Sequence, residues 1–371
     1  MPKSPTVYDV ASLAGVSIAT VSFAFRQPER VRESTRDAII RAADVLGYVP
    51  SGSARGLARG RTGALGLFSF DYLAEPADRR KPLTALNDDE ESLRFDLNEE
   101  FRLFPLYVDE VQRGFELECW HRGLALMIGG GNRSSSEAVV ADIAGRVDGL
   151  AVFPRTVPEE TLRRISRRIP VVELSEPSQN GSVVNHVTVQ NAEGMRLLTE
   201  HLIATHGYRN LHFIGALVTS DSEARFEGFS AALKAANLPA PQRPTVSSEN
   251  PDHIVWLISD LLNSGSLPQG FVCATDPEAL DVIDALSDMG VDVPSRVAVT
   301  GFDGIAAGRI VKPSLTTVRQ PMERMGREAV SILLERLGDA DKPRVNRQLP
   351  VQLVLRESCG CSIRRPSQAP A

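Results

Sequence analysis

Residues 6–22 constrain the chain more than any other stretch: Thr-Val-Tyr-Asp-Val-Ala-Ser-Leu-Ala-Gly-Val-Ser-Ile-Ala-Thr-Val-Ser. The spacing predicts two short helices around a tight turn. Thr6 and Asp9 stand three apart, as in a capping box. Val7, Val10 and Ala11 form an apolar face at helical spacing, and the small Ala11 lets another helix come close. Gly15 falls where the chain must turn, and glycine tolerates the positive φ such a turn needs. Ser17 then caps a second helix from Ile18 to about Phe25, with Val21 pointing inward. This arrangement fits a helix-turn-helix, whose second helix lies in the DNA major groove, and equally an ordinary αα-hairpin. Spacing alone leaves both open.

A third helix is predicted to follow, capped by Ser34 with Asp37, striped by Ile39, Ile40, Ala43 and Leu46, and closed by Gly47. Three helices in so short a span make a small bundle. Its charge is informative. The whole chain of 371 residues carries −6, yet nine basic and five acidic residues give positions 1–61 a net +4, leaving −10 on the remainder. A basic head on an acidic body implies that the head meets phosphate and the body does not. Residues 48–61 are rich in Gly, Ala and Arg. As a helix they would place Ala54, Leu57 and Ala58 on one face and Arg55 and Arg59 on another. They read either as a flexible linker or as a helix formed only when supported, with Leu57 as an apolar wedge of the kind minor-groove binders use.

From Gly63 onward strands and helices alternate. Strands are predicted at 64–68, 124–128, 147–153, 170–174, 184–189, 211–214, 270–273 and 297–300, with helices at 108–122, 159–168, 192–205, 224–236 and 277–289. Such runs imply two parallel-sheet α/β lobes covered by helices, with a ligand cleft at the carboxyl ends of the strands. Residues 72–103 break the pattern as a polar, acidic surface insertion. No apolar run approaches the length of a membrane span, and the N-terminus lacks a basic-then-apolar leader, so a cytoplasmic protein without membrane contact is expected.

Catalytic signatures are missing. There is no G-x-S-x-G elbow, P-loop, H-E-x-x-H or glycine-rich dinucleotide turn, and the histidines are scattered, so no enzyme and no cofactor is expected. Cys119 and Cys273 read as buried small hydrophobes. Cys359-Gly-Cys361 lacks a second Cys/His pair at zinc-site spacing, which predicts a reduced pair with no metal.

In order and motif the chain resembles the lactose-repressor (LacI/GalR) family of bacterial transcription regulators. The resemblance rests on Tyr8-Asp-Val-Ala, Ala14-Gly-Val-Ser, Thr20-Val-Ser, Leu46-Gly-Tyr-Val-Pro and the Ala/Leu/Ala hinge. Further on it rests on Arg146-Val-Asp-Gly-Leu, Arg225-Phe-Glu-Gly-Phe, Val299-Thr-Gly-Phe-Asp and Leu315-Thr-Thr-Val-Arg-Gln-Pro. It implies a helix-turn-helix head at 1–47, a hinge at 48–61 and a periplasmic-binding-protein-like body of parallel sheets. The first lobe would hold 62–189 and 319–341, the second 190–318 and 342–358, with 359–371 a disordered tail. Lobe crossovers are expected within 187–192, 313–320 and 342–349.

The resemblance further implies a homodimer on a pseudo-palindromic operator, released or tightened by an effector in the cleft. Ile18, Ala19 and Phe23 would read bases, while Thr6, Tyr8, Ser17, Thr20 and Ser22 hold phosphates and Ala54, Arg55, Leu57, Ala58 and Arg59 form the hinge helix. Relatives often carry Arg where this chain has Phe23; the alternative for Phe23 is inward packing. Arg225 and Asp303 would grip a sugar, nucleoside or related polar metabolite, with Phe70, Phe104, Ser175 and Thr275 lining the pocket. Ser175, Thr275 and Gly304 depart from the residues common in sugar-binding relatives. Three rival readings are a solute-binding protein, an enzyme, and a regulator governed by a protein partner.

Overall fold

The computed structural model describes residues 5–49, 61–70, 106–131, 136–177, 182–245, 251–338 and 343–361. Chain contacts divide it into two units, 1–63 and 64–371.

In the first unit, α1 (Val7–Ala14), α2 (Ile18–Arg26) and α3 (Glu33–Leu46) close on Val10, Ala11, Val21, Ala24, Ile39, Ala42 and Ala43. Helices this short are marginal alone and depend on that shared core. Gly15 and Gly47 end α1 and α3 at φ 66° and 64°, left-handed conformations that favour glycine. Two details differ from expectation. α3 begins after Arg32 with no side-chain cap, so Ser34 and Asp37 lie inside it rather than capping it. Ile40 is exposed, because the buried stripe runs through Ile39, Ala42 and Ala43.

The second unit holds two sheets. The first comprises β1 (Ala64–Phe70), β2 (Ala125–Gly131), β3 (Gly149–Val152), β4 (Val171–Leu174) and β5 (Asn185–Val189), with α4 (Leu106–His121), α5 (Ser136–Arg146) and α6 (Glu159–Ser166) between them. The chain then crosses to α7 (Asn191–His206), β6 (Leu211–Ile214), α8 (Ser220–Ala235), α9 (Pro251–Asn263), β7 (Gly270–Cys273), α10 (Asp276–Asp288), β8 (Ala298–Asp303), α11 (Ala307–Ile310) and β9 (Thr316–Arg319). It returns for α12 (Met322–Arg336) and β10 (Asn346–Leu349), and ends with β11 (Gln352–Val354) back in the second sheet. Strand order is β10-β5-β4-β3-β1-β2 in one sheet and β11-β9-β8-β7-β6 in the other. Every pairing is parallel except β11 with β9.

Parallel strands buried on both faces need helices on both sides, and the core follows that rule. Leu65, Val111, Phe115, Met325 and Leu333 fill one side of the first sheet, and Phe68, Ile143, Leu150 and Ile165 the other. The second sheet is likewise covered by α7 and α8 on one face and α9 and α10 on the other. Cys119 and Cys273 are fully buried among apolar groups.

The expected third crossover at 342–349 is corrected. Asn346–Leu349 pairs in parallel with β5, Asn346 opposite His186, so the chain leaves the first sheet only after Leu349. Its polar sequence misleads because β10 is an edge strand, with only Leu349 buried. α5, α9 and α12 are helices that the sequence reading had not assigned. Among the described residues no single helix is long and apolar enough to cross a membrane.

Candidate nucleic-acid interface and effector cleft

α1 and α2 meet at a bend of 103° across the Gly15 turn, within the range of helix-turn-helix motifs. The Asp9 carboxylate accepts from the Thr6 N–H and the Thr6 hydroxyl, each at 2.7 Å, fixing the start of α1. Ser17 Oγ accepts the Thr20 N–H at 3.1 Å and shares a 2.8 Å hydrogen bond with the Thr20 hydroxyl. These bonds hold the first turn of α2 in one geometry and leave its early backbone N–H groups pointing outward, where a phosphate is favoured. Tyr8, on α1, is exposed.

Because Val21 and Ala24 anchor the inner face of α2, the opposite face must point away from the bundle. Ile18, Ala19 and Phe23 occupy that outer face, and Ser22 is half-buried. Phe23 is 38% exposed, which removes the inward alternative; Phe25 takes that place, its ring 6.1 Å from Tyr48. Two residues that the sequence reading missed frame the Phe23 ring. The guanidinium carbons of Arg26 and Arg30 lie 5.9 and 5.7 Å from its centre. Arg30 reaches it from a 3-10 turn, Pro28–Arg30, that follows α2. The hinge residues Ala54, Arg55, Leu57, Ala58 and Arg59, and the insertion 72–103, lie outside the described residues.

In the body, the cleft is built from the ends of strands. Arg225, on α8, is almost completely buried. Its Nε donates to Asn191 Oδ1 and its Nη1 to the Ala274 carbonyl, both at 2.8 Å, with Asp303 Oδ1 at 3.4 Å and Asp221 Oδ2 at 3.8 Å from the other terminal nitrogen. The guanidinium stacks 3.9 Å above the centre of the Phe302 ring, a weakly hydrated cation held against an aromatic face. Asp303 ends β8 at φ 125° and also accepts from Gln320 Nε2 at 2.7 Å. Burial pushes the Asp303 carboxyl up to about 7 and that of Asp221 to about 6, with Arg225 pulling both the other way. Gln320 Oε1 is buried without a partner among the described residues.

Of the other expected pocket residues, Ser175 is buried at φ 59° and its hydroxyl hydrogen-bonds the Tyr107 hydroxyl in a short contact. Tyr107 packs edge-on against Phe153 and feels the charges of Asp221, Asp303 and Arg225, so this pair faces them from the first lobe. Burial raises the Tyr107 phenol far above its ordinary range, keeping it a neutral donor. Thr275 is instead committed as the cap of α10: its N–H and hydroxyl donate to Glu278 Oε2 at 2.9 and 3.0 Å. Asp276 is structural, accepting from the Gly304 and Ile305 N–H groups and the Thr317 hydroxyl. Gly304 has no room for the acid seen elsewhere, since a Cβ there would meet Arg319. Of Phe70 only the strand backbone is described, and Phe104 lies outside the described residues. Tyr107, Asn191, Asp221 and Gln320 were not foreseen; Asp221 alone had a sequence signal, four residues before Arg225 on one helix.

Two cavities, 360 and 260 Å³, flank this cluster and share Pro177 and Ser220 in their walls. Asn191 and Asp221 line the smaller one. Arg155 Nη1 donates to the Val218 carbonyl at 2.8 Å, tying the lobes at the larger one.

Residues 6–51 match the profile of bacterial regulatory proteins of the lacI family, and residues 199–359 that of a periplasmic binding protein-like domain. The transcriptional regulator GalR of Salmonella typhimurium is 29% identical over 359 residues, covering 95% of each chain. The transcriptional repressor PurR of Photorhabdus laumondii is 29% identical over 339 residues, covering 90% of each. Among solved structures, the regulator CelR in complex with cellobiose is 26% identical with a TM-score of 0.64, covering 95% of this chain and 99% of its own. The lac repressor dimer bound to operator and the anti-inducer ONPF shares the fold at 23% identity and a TM-score of 0.73, covering 96% and 99%. Head, two-lobed body and relatives agree, and the chain belongs to the LacI family of DNA-binding transcriptional regulators.

Proposed function

We propose that this regulator is a cytoplasmic, non-enzymatic repressor that binds a pseudo-palindromic operator as a homodimer and responds to a small polar metabolite in the cleft. The outward face of α2 carries this reading: Ile18, Ala19 and Phe23 face away from the core, rimmed by Arg26 and Arg30. Apolar groups of this kind contact thymine methyls and exclude misfits, whereas the flanking cations bind phosphate and fix register. Thr6, Tyr8, Ser17, Thr20 and Ser22 supply the remaining backbone contacts. With no Arg at position 23, more discrimination falls to DNA shape and to the hinge around Leu57.

In the cleft, Arg225, Asp221, Asp303 and Gln320 of one lobe and Ser175 with Tyr107 of the other suit a sugar, a nucleoside or a related polyhydroxyl ligand. Vicinal hydroxyls can accept from a guanidinium while donating to a carboxylate. A ligand that bridges Arg225 and Asp221 of one lobe to Ser175 and Tyr107 of the other changes how the lobes close, which is the coupling that regulation requires.

Selection of bound sequences from random duplex DNA tests the head, with the salt dependence of the best binder measured alongside. A symmetric site and a steep negative slope of affinity against salt are expected. A chain that is monomeric and indifferent to duplex at low ionic strength refutes the reading. Thermal shifts with sugars and nucleosides test the cleft.

A further inference from the structure

The second lobe ends in a cluster that the sequence reading dismissed for want of a second ligand pair. His201 and His206, on the last turns of α7, meet Cys359 and Cys361 from the closing turn of the body, about 160 residues later. The two histidine Nε2 atoms are 3.3 Å apart. Cys361 Sγ lies 3.3 Å from His201 Nε2 and 3.4 Å from His206 Nε2, and Cys359 Sγ lies 4.0 Å from His201 Nε2. All four donor atoms fall within 4.8 Å of one another.

We propose that His201, His206, Cys359 and Cys361 form a structural zinc site. Two thiolates and two imidazoles are a donor set that selects zinc over hard cations. The spacing agrees with a common centre. Zn–N bonds of about 2.0–2.1 Å and Zn–S bonds of about 2.3 Å at tetrahedral angles place two nitrogens about 3.3 Å apart and nitrogen and sulfur about 3.5 Å apart. Three of the four measured separations lie within about 0.2 Å of those values, and the fourth closes with a shift of about half an ångström.

The surroundings orient the ligands as such sites require. His201 Nδ1 is 3.2 Å from Thr205 Oγ1, which can take its N–H and leave Nε2 as a lone pair. The His206 ring stacks on Tyr208 at 5.3 Å, and the Tyr208 hydroxyl donates to the Cys359 carbonyl at 3.3 Å. The Thr316 hydroxyl lies 3.1 Å from Cys359 Sγ, placed to donate to a thiolate. Between the cysteines, Gly360 adopts φ 97° with its α-carbon turned to the His206 ring, which a Cβ would meet at 3.4 Å. Zinc takes imidazole as its neutral lone pair and sulfur as thiolate. The thiols then lose their protons to solvent as the metal binds.

With four protein ligands the site is closed and structural. α7 runs from Asn191, the partner of Arg225, to His206, about 22 Å at helical rise. The metal thus pins the final turn of the body to the end of α7 remote from the effector residues.

The test uses the full chain. Purified from zinc-supplemented culture, it should retain one zinc per chain, and Cys361→Ser should retain none. Replacing zinc by cobalt should give the ligand-field bands of a tetrahedral ion and a thiolate-to-cobalt charge-transfer band. Cobalt titration of the unaltered chain needs no variant to fold. If that chain, with both thiols shown free by alkylation, retains no zinc and develops neither band, the proposal is wrong. A Cys359–Cys361 disulfide in chain alkylated directly from cells overturns it equally.

Discussion

The guanidinium carbon of Arg30 lies 5.7 Å from the centre of the Phe23 ring, and that of Arg26 lies 5.9 Å from the same point. An exposed aromatic flanked by two cations has a definite physical meaning. The ring quadrupole attracts both guanidiniums, limiting their freedom without neutralising them. Charge therefore rims an apolar ring on the outer face of α2.

Phe23→Arg should redirect base recognition. A guanidinium at this position can donate bidentately to guanine O6 and N7, a contact that discriminates by about 1–3 kcal/mol. Sequences selected by the variant should gain a guanine in each half-site. An unchanged half-site would show that position 23 does not face bases.

Arg30→Ala should act differently. A phosphate contact carries no sequence information, so affinity should fall by a similar factor on every duplex, with the slope of log affinity against log salt shallower by about 1 for each head bound. Loss of specificity at unchanged salt slope would instead place Arg30 among the bases.

Close helix packing gives a third prediction. Gly114 on α4 and Gly326 on α12 lie where a Cβ would run into the Glu323 and Val111 carbonyls respectively. Gly114→Ala should lower the stability of the body by about 1–3 kcal/mol through overpacking. Denaturant unfolding of the two units, followed separately, should show the head unaffected.

What the sequence disclosed depended on range. The capping of α1 by Thr6 and Asp9, the Gly15 turn and the strands β6 and β7 are local patterns, and each is found where it was read. β10 was misplaced because an edge strand keeps solvent on one side and loses the apolar signature. The α12 stripe of Met325, Ala329, Val330 and Leu333 has helical spacing, yet the segment lay beside an expected crossover and was not assigned. Arg225 and Asp303 followed from motifs. By contrast, Tyr107 and Ser175 are 68 residues apart and Cys361 and His201 are 160 apart, and no spacing rule connects them.

The buried carboxylates beside Arg225 predict a pH effect with a definite sign. Burial raises the folded-state pKa of Asp303 to about 7, against the ordinary value of 3.8. Between those values the folded chain holds a proton there that the unfolded chain has released. Stability from this group is therefore greatest below about pH 4 and declines as pH rises toward 7. Asp303→Asn abolishes the titration, so the stability of the unaltered chain relative to the variant should fall across that interval, measured by denaturant midpoints at fixed salt. Arg225→Ala should extend the decline to higher pH, because without the guanidinium the Gln320 hydrogen bond is left to offset the charge, and above neutrality it should destabilise the body by about 3–5 kcal/mol. A flat difference between the unaltered chain and Asp303→Asn would mean that Asp303 ionises in the folded body as freely as in water.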